Sequence, residues 1–295
     1  MIKHFLIEII LILLWINPCP LISQTTALSP LNTGISENSN DRENVLQISY
    51  IGNMGVLLEA GQHTVLVDGL HQNYKPIYEH PTHETVQQLI KGEYPSFSEI
   101  ELILVTHKHK DHFSPKYTYD FLRYNSEAIL VGSAQLKEEI EKVSKGKEKK
   151  LIDRVEVVPY SYNINQVIHK GIEVESFRCD HTNPARHKNI ENIAHIISID
   201  QYNVLHLGDT DIETLNNLFH KINLLNRDLD IVILPYWMLL ETSSLADPIK
   251  KLNPKKIIAT HIDPTNWSKT VANIEQDIPN VICFTKVNEK IYLRK

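Results

Sequence analysis

The run Thr106-His107-Lys108-His109-Lys110-Asp111-His112 follows directly on the apolar stretch Leu102-Ile103-Leu104-Val105, and no other feature of the chain restricts the fold as tightly. Three imidazoles and a carboxylate are gathered just past the end of a predicted buried strand. Imidazole nitrogens and carboxylate oxygens are the donors that borderline cations such as zinc favour. In an extended or tightly turning segment His107 and His109 point the same way and can share one ion. Asp111 and His112 are displaced along the turn and can face a second. Two metals about 3.5–4 Å apart would clamp and activate a water for hydrolysis. The bland alternative is a histidine-rich surface turn without metal.

Three later segments weigh against that alternative. Ser176-Phe177-Arg178-Cys179-Asp180-His181 places His181 beyond an apolar strand. Leu205-His206-Leu207-Gly208-Asp209-Thr210 places Asp209 after a strand and a glycine, and Ile257-Ile258-Ala259-Thr260-His261 does the same for His261. A carboxylate such as Asp209 can bridge two cations with its two oxygens, and Gly208 permits close backbone approach. Four segments of one strand-then-donor form are harder to explain by chance than any one alone.

Taken together, these motifs resemble the metallo-β-lactamase-fold hydrolases, over nearly everything from Val45 to the C-terminus. The resemblance implies an α/β fold, a four-layer αββα sandwich of two mixed sheets. It implies that His107, His109 and His181 bind a first metal, that Asp111, His112 and His261 bind a second, and that Asp209 bridges them. Asp68, after the third strand, matches the Asp of the family's first motif, which supports the ligands without binding metal. The cofactors implied are two divalent ions, zinc foremost, with manganese or iron as alternatives. The reaction implied is attack by a metal-bridged hydroxide, oriented by the catalytic carboxylates Asp111 and Asp209, on an ester-type bond: a phosphodiester, lactone or amide in a small molecule or lipid. The chain departs from the zinc β-lactamases, which have a Cys or no bridging residue in place of Asp209. It departs from the flavodiiron oxidoreductases, which have Glu in place of His109. Segment lengths and the hairpin Tyr50-Ile51-Gly52-Asn53-Met54-Gly55 are similar to the branch holding the ascorbate-phosphate lactonase and the N-acylphosphatidylethanolamine phospholipase D. The rival readings are a di-iron redox protein and a non-catalytic metal-binding module on the same fold.

The rest of the pattern agrees with two sheets. Strands are predicted over 45–51, 56–60, 63–68, 100–106, 128–132, 154–159, 166–169, 172–179, 194–199, 204–207, 229–234, 256–260, 281–285 and 290–293. Helices are predicted over 84–90, 116–124, 134–143, 212–225, 246–252 and 271–277. Strands followed by helices, twice over, suit two packed mixed sheets with helices outside. Residues 70–98 hold Pro, Tyr and His and suit a loop over a site.

The ends and composition bound the function. Phe5 to Ile16 is apolar apart from Glu8 and is shorter than the roughly 20 residues of a membrane span. Residues 1–23 are therefore read as a signal peptide, with N-terminal anchoring as the alternative, and 24–44 as a Ser/Thr/Asn/Pro-rich flexible linker. The mature protein is expected to be exported, to the periplasm or beyond, without a transmembrane domain. Residues 45–295, roughly 250, suffice for one large domain. Cys179 and Cys283 are expected as buried thiols. A formal charge of −6 argues against nucleic acid as a partner and leaves a small-molecule or lipid substrate. The basic run Lys145–Lys150 is read as the solvated end of a helix. His71, His187 and the loop Pro235-Tyr236-Trp237 are candidate outer groups, although His187 also suits an exposed turn and the two aromatics suit packing under a loop. His195 and His206 suit structural roles.

Overall fold

A computed structural model describes residues 44–75, 77–94, 99–240, 247–278 and 281–295. The readings of residues 1–23 as a signal and of the linker up to residue 43 lie outside these described residues.

The first half begins with a meander, β1 (Val45–Gly52), β2 (Gly55–Ala60) and β3 (His63–Val67). Then come α1 (His83–Lys91), β4 (Leu102–Leu104), α2 (Pro115–Tyr124), β5 (Ile129–Gly132), α3 (Ala134–Ser144), α4 (Lys149–Ile152) and β6 (Val155–Val157). The second half runs β7 (Asn165–His169), β8 (Ile172–Arg178), α5 (Pro184–His187), β9 (Ile193–Ile199), β10 (Tyr202–His206) and α6 (Ile212–Lys221). It closes with β11 (Ile231–Pro235), α7 (Trp237–Leu240), α8 (Asp247–Leu252), β12 (Lys256–Thr260), α9 (Trp267–Asp277), β13 (Ile282–Cys283) and β14 (Lys290–Arg294).

Two seven-stranded mixed sheets result, ordered β14-β1-β2-β3-β4-β5-β6 and β13-β12-β11-β10-β9-β8-β7. In the first, β14 to β3 are antiparallel and β3 to β6 parallel. The second repeats the plan, antiparallel from β7 to β10 and parallel from β10 to β13. The last strand crosses back, pairing Val45 with Arg294 and Ile48 with Ile291.

Period-2 alternation sorts the apolar residues into three layers. Val65, Val67, Leu102 and Leu104 of the first sheet meet Val204, Ile231, Ile233 and Ile258 of the second in the central core. Leu66 and Ile103 point outward and pack with Leu89, Phe121 and Leu136 of α1, α2 and α3. Leu205, Val232 and Leu234 pack outward with Leu215, Leu252 and Ile274 of α6, α8 and α9. Both faces of each central strand are covered, so these strands read as continuous apolar runs. Each fully buried Leu or Ile contributes roughly 1.5–3 kcal/mol. The αββα frame follows.

Local differences from the sequence reading have local causes. The helix predicted over 212–225 stops at Lys221, because Asn223 takes a left-handed φ of 54° and starts a separate 3-10 turn, Leu224–Asn226. The strand predicted over 100–106 is paired only at Leu102–Leu104, since Thr106 bonds to a side chain and to the other sheet. The gap between the strands predicted over 194–199 and 204–207 narrows to Asp200–Gln201, and Tyr202 already pairs with Ile199. The basic run lies past the end of α3 and enters α4, with Lys145 left-handed at φ 53°. Cys179 is buried and free, whereas Cys283 is free but only half-buried.

Candidate metal centre

The donor residues lie at the carboxyl ends of strands, where open α/β sheets leave a crevice. Beyond β4 the chain turns at once: His112 and Phe113 both donate backbone N–H to His109 O, at 3.0 and 2.9 Å. Ser114 then caps α2, accepting from Tyr117 N, and Pro115 occupies the first turn, so the donor run is held between a strand end and a helix start.

Thr106 ties this turn to both sheets. Its N–H and hydroxyl donate to Asp68 at 2.8 and 2.7 Å, and its carbonyl accepts from Ile193 N of the second sheet at 2.9 Å. Asp68 is fully buried at the end of β3 with a left-handed φ of 47°. It also accepts from His112 Nδ1 at 2.9 Å.

The structure brings all seven predicted donors together, in two clusters: His107, His109, His181 and Asp209, then Asp111, His112 and His261. His107 Nε2 is 2.9 Å and His181 Nε2 3.2 Å from His109 Nδ1. Asp209 lies between the clusters. Its Oδ2 is 3.5 Å from His181 Nε2 and 3.6 Å from His261 Nε2, and its Oδ1 is 3.3 Å from His112 Nε2. Asp111 Oδ2 is 3.4 Å from His261 Nε2 and 3.7 Å from His112 Nε2.

These donors fit cations. His107 Nδ1 lies 3.1 Å from Thr106 Oγ1, whose own proton goes to Asp68. His112 Nδ1 is bonded to Asp68, and His181 Nδ1 to Thr182 O at 2.8 Å. Each of these contacts keeps a proton on Nδ1, so that the ring, when neutral, turns its Nε2 lone pair into the cluster. The lone pairs of His107 and His181 converge on His109 Nδ1, a meeting that either a proton on that nitrogen or a cation among the three rings satisfies. Asp209 Oδ1 is buried and faces His112 Nε2 at 3.3 Å, so with His112 neutral and protonated on Nδ1 it has no donor. A buried carboxylate oxygen left in this way is costly.

The electrostatics point the same way. Burial would push the Asp209 carboxyl up, yet His112 and His261 hold it well below the usual carboxylate range. Burial likewise opposes ionisation of Asp111, but His112 and His261 bring it to about 2. Burial and the neighbouring His181 and His112 lower His109 to about 4, and burial also lowers His107. Despite burial, Asp209 and Asp111 raise His261 to about 9. Two ionised carboxylates in a buried pocket therefore attract positive charge, which metal ions can supply in place of protons.

Further residues hold this arrangement. Asn53, in the β1–β2 turn, donates to Asp111 O and Oδ2, both at 3.1 Å, and its carbonyl accepts from His261 N at 3.0 Å. Fully buried Asn192 donates to Cys179 O at 2.8 Å and Leu207 O at 3.3 Å, and accepts from Asp209 N at 3.3 Å. It thereby ties the His181 loop to the Asp209 loop. Neither asparagine carries a spacing signal, because its partners are remote in sequence.

The outer candidates separate. His187, also read as an exposed turn residue, is half-buried and stacks on His181 with ring centroids 4.3 Å apart. Trp237 sets its ring edge-on to His261 at 4.7 Å, while Tyr236 packs with the outer apolar cluster of the second sheet. His71 is fully buried 3.1 Å from Gly52 O and takes no place in either cluster. His195 and His206 are buried within strands, 2.8 Å from Ser176 Oγ and 2.9 Å from Met54 O. Over the donors opens a cleft of about 720 Å³. Its wall includes Tyr74 and Tyr78, from the segment that the sequence places over a site.

Among solved structures, Igni18, a metallo hydrolase of Ignicoccus hospitalis, matches with a TM-score of 0.53 at 14% identity, over 85% of this chain and 99% of that one. A possible metal-dependent hydrolase of Veillonella parvula matches with a TM-score of 0.56 at 15% identity, over 84% and 100%. CmlA, a diiron β-hydroxylase of Streptomyces venezuelae, matches with a TM-score of 0.51 at 14% identity, over 86% of this chain and 54% of that one. At these identities the likeness establishes a shared fold. A search of curated proteins returns no significant match. The beta-lactamase superfamily domain model matches residues 47–261, from β1 to the last of the seven donors. With that match spanning well over half of the chain, and with two mixed sheets between outer helices, the protein belongs to the beta-lactamase superfamily and has the metallo-β-lactamase fold.

Proposed function

We propose that this protein is a metal-dependent hydrolase that cleaves an ester-type bond, a phosphodiester, lactone or amide, in a small molecule or lipid. The observation that carries the reading is the convergence of seven His and Asp donors, five of which, His109, Asp111, His181, Asp209 and His261, line an open cleft. His107, His109 and His181 would hold one ion, Asp111, His112 and His261 a second, and Asp209 would reach both. Zinc is the first choice for this nitrogen and oxygen donor set, with manganese or iron as alternatives. Such ions, when bound, supply Lewis-acid polarisation and activation of water. Asp111 and Asp209 are the acceptors that orient the attacking water, because both are held ionised. Thr106, Asp68 and Thr182 keep the histidine lone pairs aimed inward. Trp237 and Tyr78 set ring edges against His261 and give the cleft an apolar border beside it.

The second reading, an iron-dependent redox protein, draws on the fold shared with CmlA. Elemental analysis of the purified protein separates the readings. About two zinc or manganese ions per chain, reduced in Asp209→Ala, with turnover in a screen of esters, lactones and phosphodiesters, is the expected result. Iron with no hydrolysis would favour the redox reading, and no metal after reconstitution would favour a binding module.

We also infer the export arrangement from the sequence: a signal peptide over 1–23, a linker over 24–44 and the hydrolase domain over 45–295. Among the described residues no helix is long and apolar enough to cross a membrane. N-terminal sequencing of the mature protein tests the cleavage site.

A further inference from the structure

The donor run places two lysines, Lys108 and Lys110, between its ligand-type residues, and metal binding makes no use of them. Both line the cleft, together with Lys75 and Arg186. Among the described residues none of these four cations forms an ion pair with a carboxylate. Asp111 and Asp209 belong to the donor clusters, and the remaining acid of the cleft wall, Glu139, is held by Lys142 at 2.7 Å. A chain of net charge −6 thus collects, among its described residues, four positive charges without a carboxylate partner around one opening. Like charges gathered at a recess focus a positive potential there, which raises the local concentration of anions.

The same opening has an aromatic wall. Tyr74 and Tyr78 lie nearly parallel, with ring centroids 6.1 Å apart and planes 6° from each other. Tyr78 and Trp237 both set ring edges on His261, at 5.0 and 4.7 Å. Tyr74 is 44% exposed, with Lys75 Nζ and Lys110 Nζ over its ring at 4.9 and 5.9 Å. A flat apolar face therefore runs from the donor floor to the cationic rim. A cleft of about 720 Å³ suits a small molecule.

We propose that the cleft selects a small molecule with a flat, unsaturated body and an anionic group, carboxylate, phosphate or sulfonate, set apart from its scissile bond. Lys108, Lys110 and Arg186 receive the anion, and Tyr74, Tyr78 and Trp237 receive the body. The inference rests on the hydrolase reading in taking the bound molecule as a substrate; the recognition itself is tested without turnover.

The test titrates the metal-loaded full chain with two fluorescent probes, 8-anilinonaphthalene-1-sulfonate and N-phenyl-1-naphthylamine. They share an aromatic body and differ by the sulfonate. Exposed ion pairs are individually weak, so three converging on one anion should favour the sulfonate on the order of tenfold at low salt. The preference should shrink towards parity as salt screens it. It should also vanish in a Lys108→Met, Lys110→Met, Arg186→Met triple variant of unchanged metal content. Arg186→Met alone, on the exposed face of a short helix, should lose about threefold and covers the case of a triple variant that fails to fold. Equal affinities, or a preference that survives these substitutions, would overturn the proposal. Sedimentation with phosphatidylglycerol vesicles separates a free anion from a membrane surface. No co-sedimentation is expected, and co-sedimentation abolished by the same substitutions would assign the cations to lipid instead. Metal content and ester turnover of the same samples report on the hydrolase reading separately. Probe discrimination without metal or turnover would retain the cleft inference and sink that reading.

Discussion

Asp68→Asn separates support of the proposed metal centre from ligation. Asp68 accepts three hydrogen bonds while fully buried: Thr106 N at 2.8 Å, Thr106 Oγ1 at 2.7 Å and His112 Nδ1 at 2.9 Å. Asparagine has the same shape and tolerates the left-handed backbone nearly as well. It keeps an oxygen for Thr106 N but presents an NH2 group to the Thr106 hydroxyl and to His112. The neutral His112 ring must then accept at Nδ1, so its proton sits on Nε2, the atom that faces Asp209 at 3.3 Å and Asp111 at 3.7 Å. Two hydrogen bonds to a charged group are lost or inverted, each worth about 1.5–3 kcal/mol. The metal-free protein should therefore lose about 3–5 kcal/mol in denaturant unfolding. Affinity for the proposed second ion should fall about 10–100-fold, as for other supporting carboxylates. The proposed first ion should be less affected, because His107 depends on Thr106 and not directly on Asp68. Zinc titration against a competing chelator measures both steps. An unchanged second step alongside a loss of stability would refute the argument, since Asp68 would then hold the fold without setting the His112 tautomer.

Gly208→Ala should impair metal retention and stability together. Gly208 has φ 58°, and an added Cβ would lie 2.6 Å from Asn192 Oδ1 and 2.7 Å from Thr106 Cβ. A loss of about 1–3 kcal/mol is expected in thermal or denaturant melts. Asn192→Leu should cost at least as much as that glycine change and should lower the Asp209-dependent metal content, measured by elemental analysis, because four polar groups lose one shared partner. Stability should also fall in mild acid. Burial pushes His195 down to about 4, below the roughly 6.5 of an unfolded histidine. The unfolded state therefore binds the extra proton between these values, and up to about 3 kcal/mol is present above pH 6.5 and lost as the pH falls to 4. A His195→Gln variant should show a shallower pH dependence of unfolding over that window, and an equal slope would contradict the burial argument. Prolonged treatment with a strong chelator should abolish any hydrolysis and lower the melting temperature, with recovery on adding zinc.

The chain written as a sequence already holds the alternation of Val65-Leu66-Val67 and Leu102-Ile103-Leu104, and with it strands buried on both faces. It also holds the strand-then-donor form of four segments, because a donor one or two residues past a strand end needs no distant partner to be recognised. Element ends were less legible. The stop of α6 at Lys221 depends on a left-handed Asn223, and the short pairing of β4 depends on Thr106 being used elsewhere.

Tertiary structure alone decided which residues aim and surround the donors. Asn53 acts on Asp111, 58 positions away, and on His261, farther still, and Asn192 acts on Cys179 and Leu207 on other loops; no local pattern marks such bonds. His187 could be an exposed turn residue or a lid on His181 until α5 and the His181 loop were packed together. Lys108 and Lys110 gain meaning only when Arg186 and the tyrosines arrive from other segments to share their opening. Sequence thus determined the residue types and periodicities, which are local properties of the chain. Folding determined directions and neighbours, because those depend on how two sheets, each closed by distant strands, set their loops against one another.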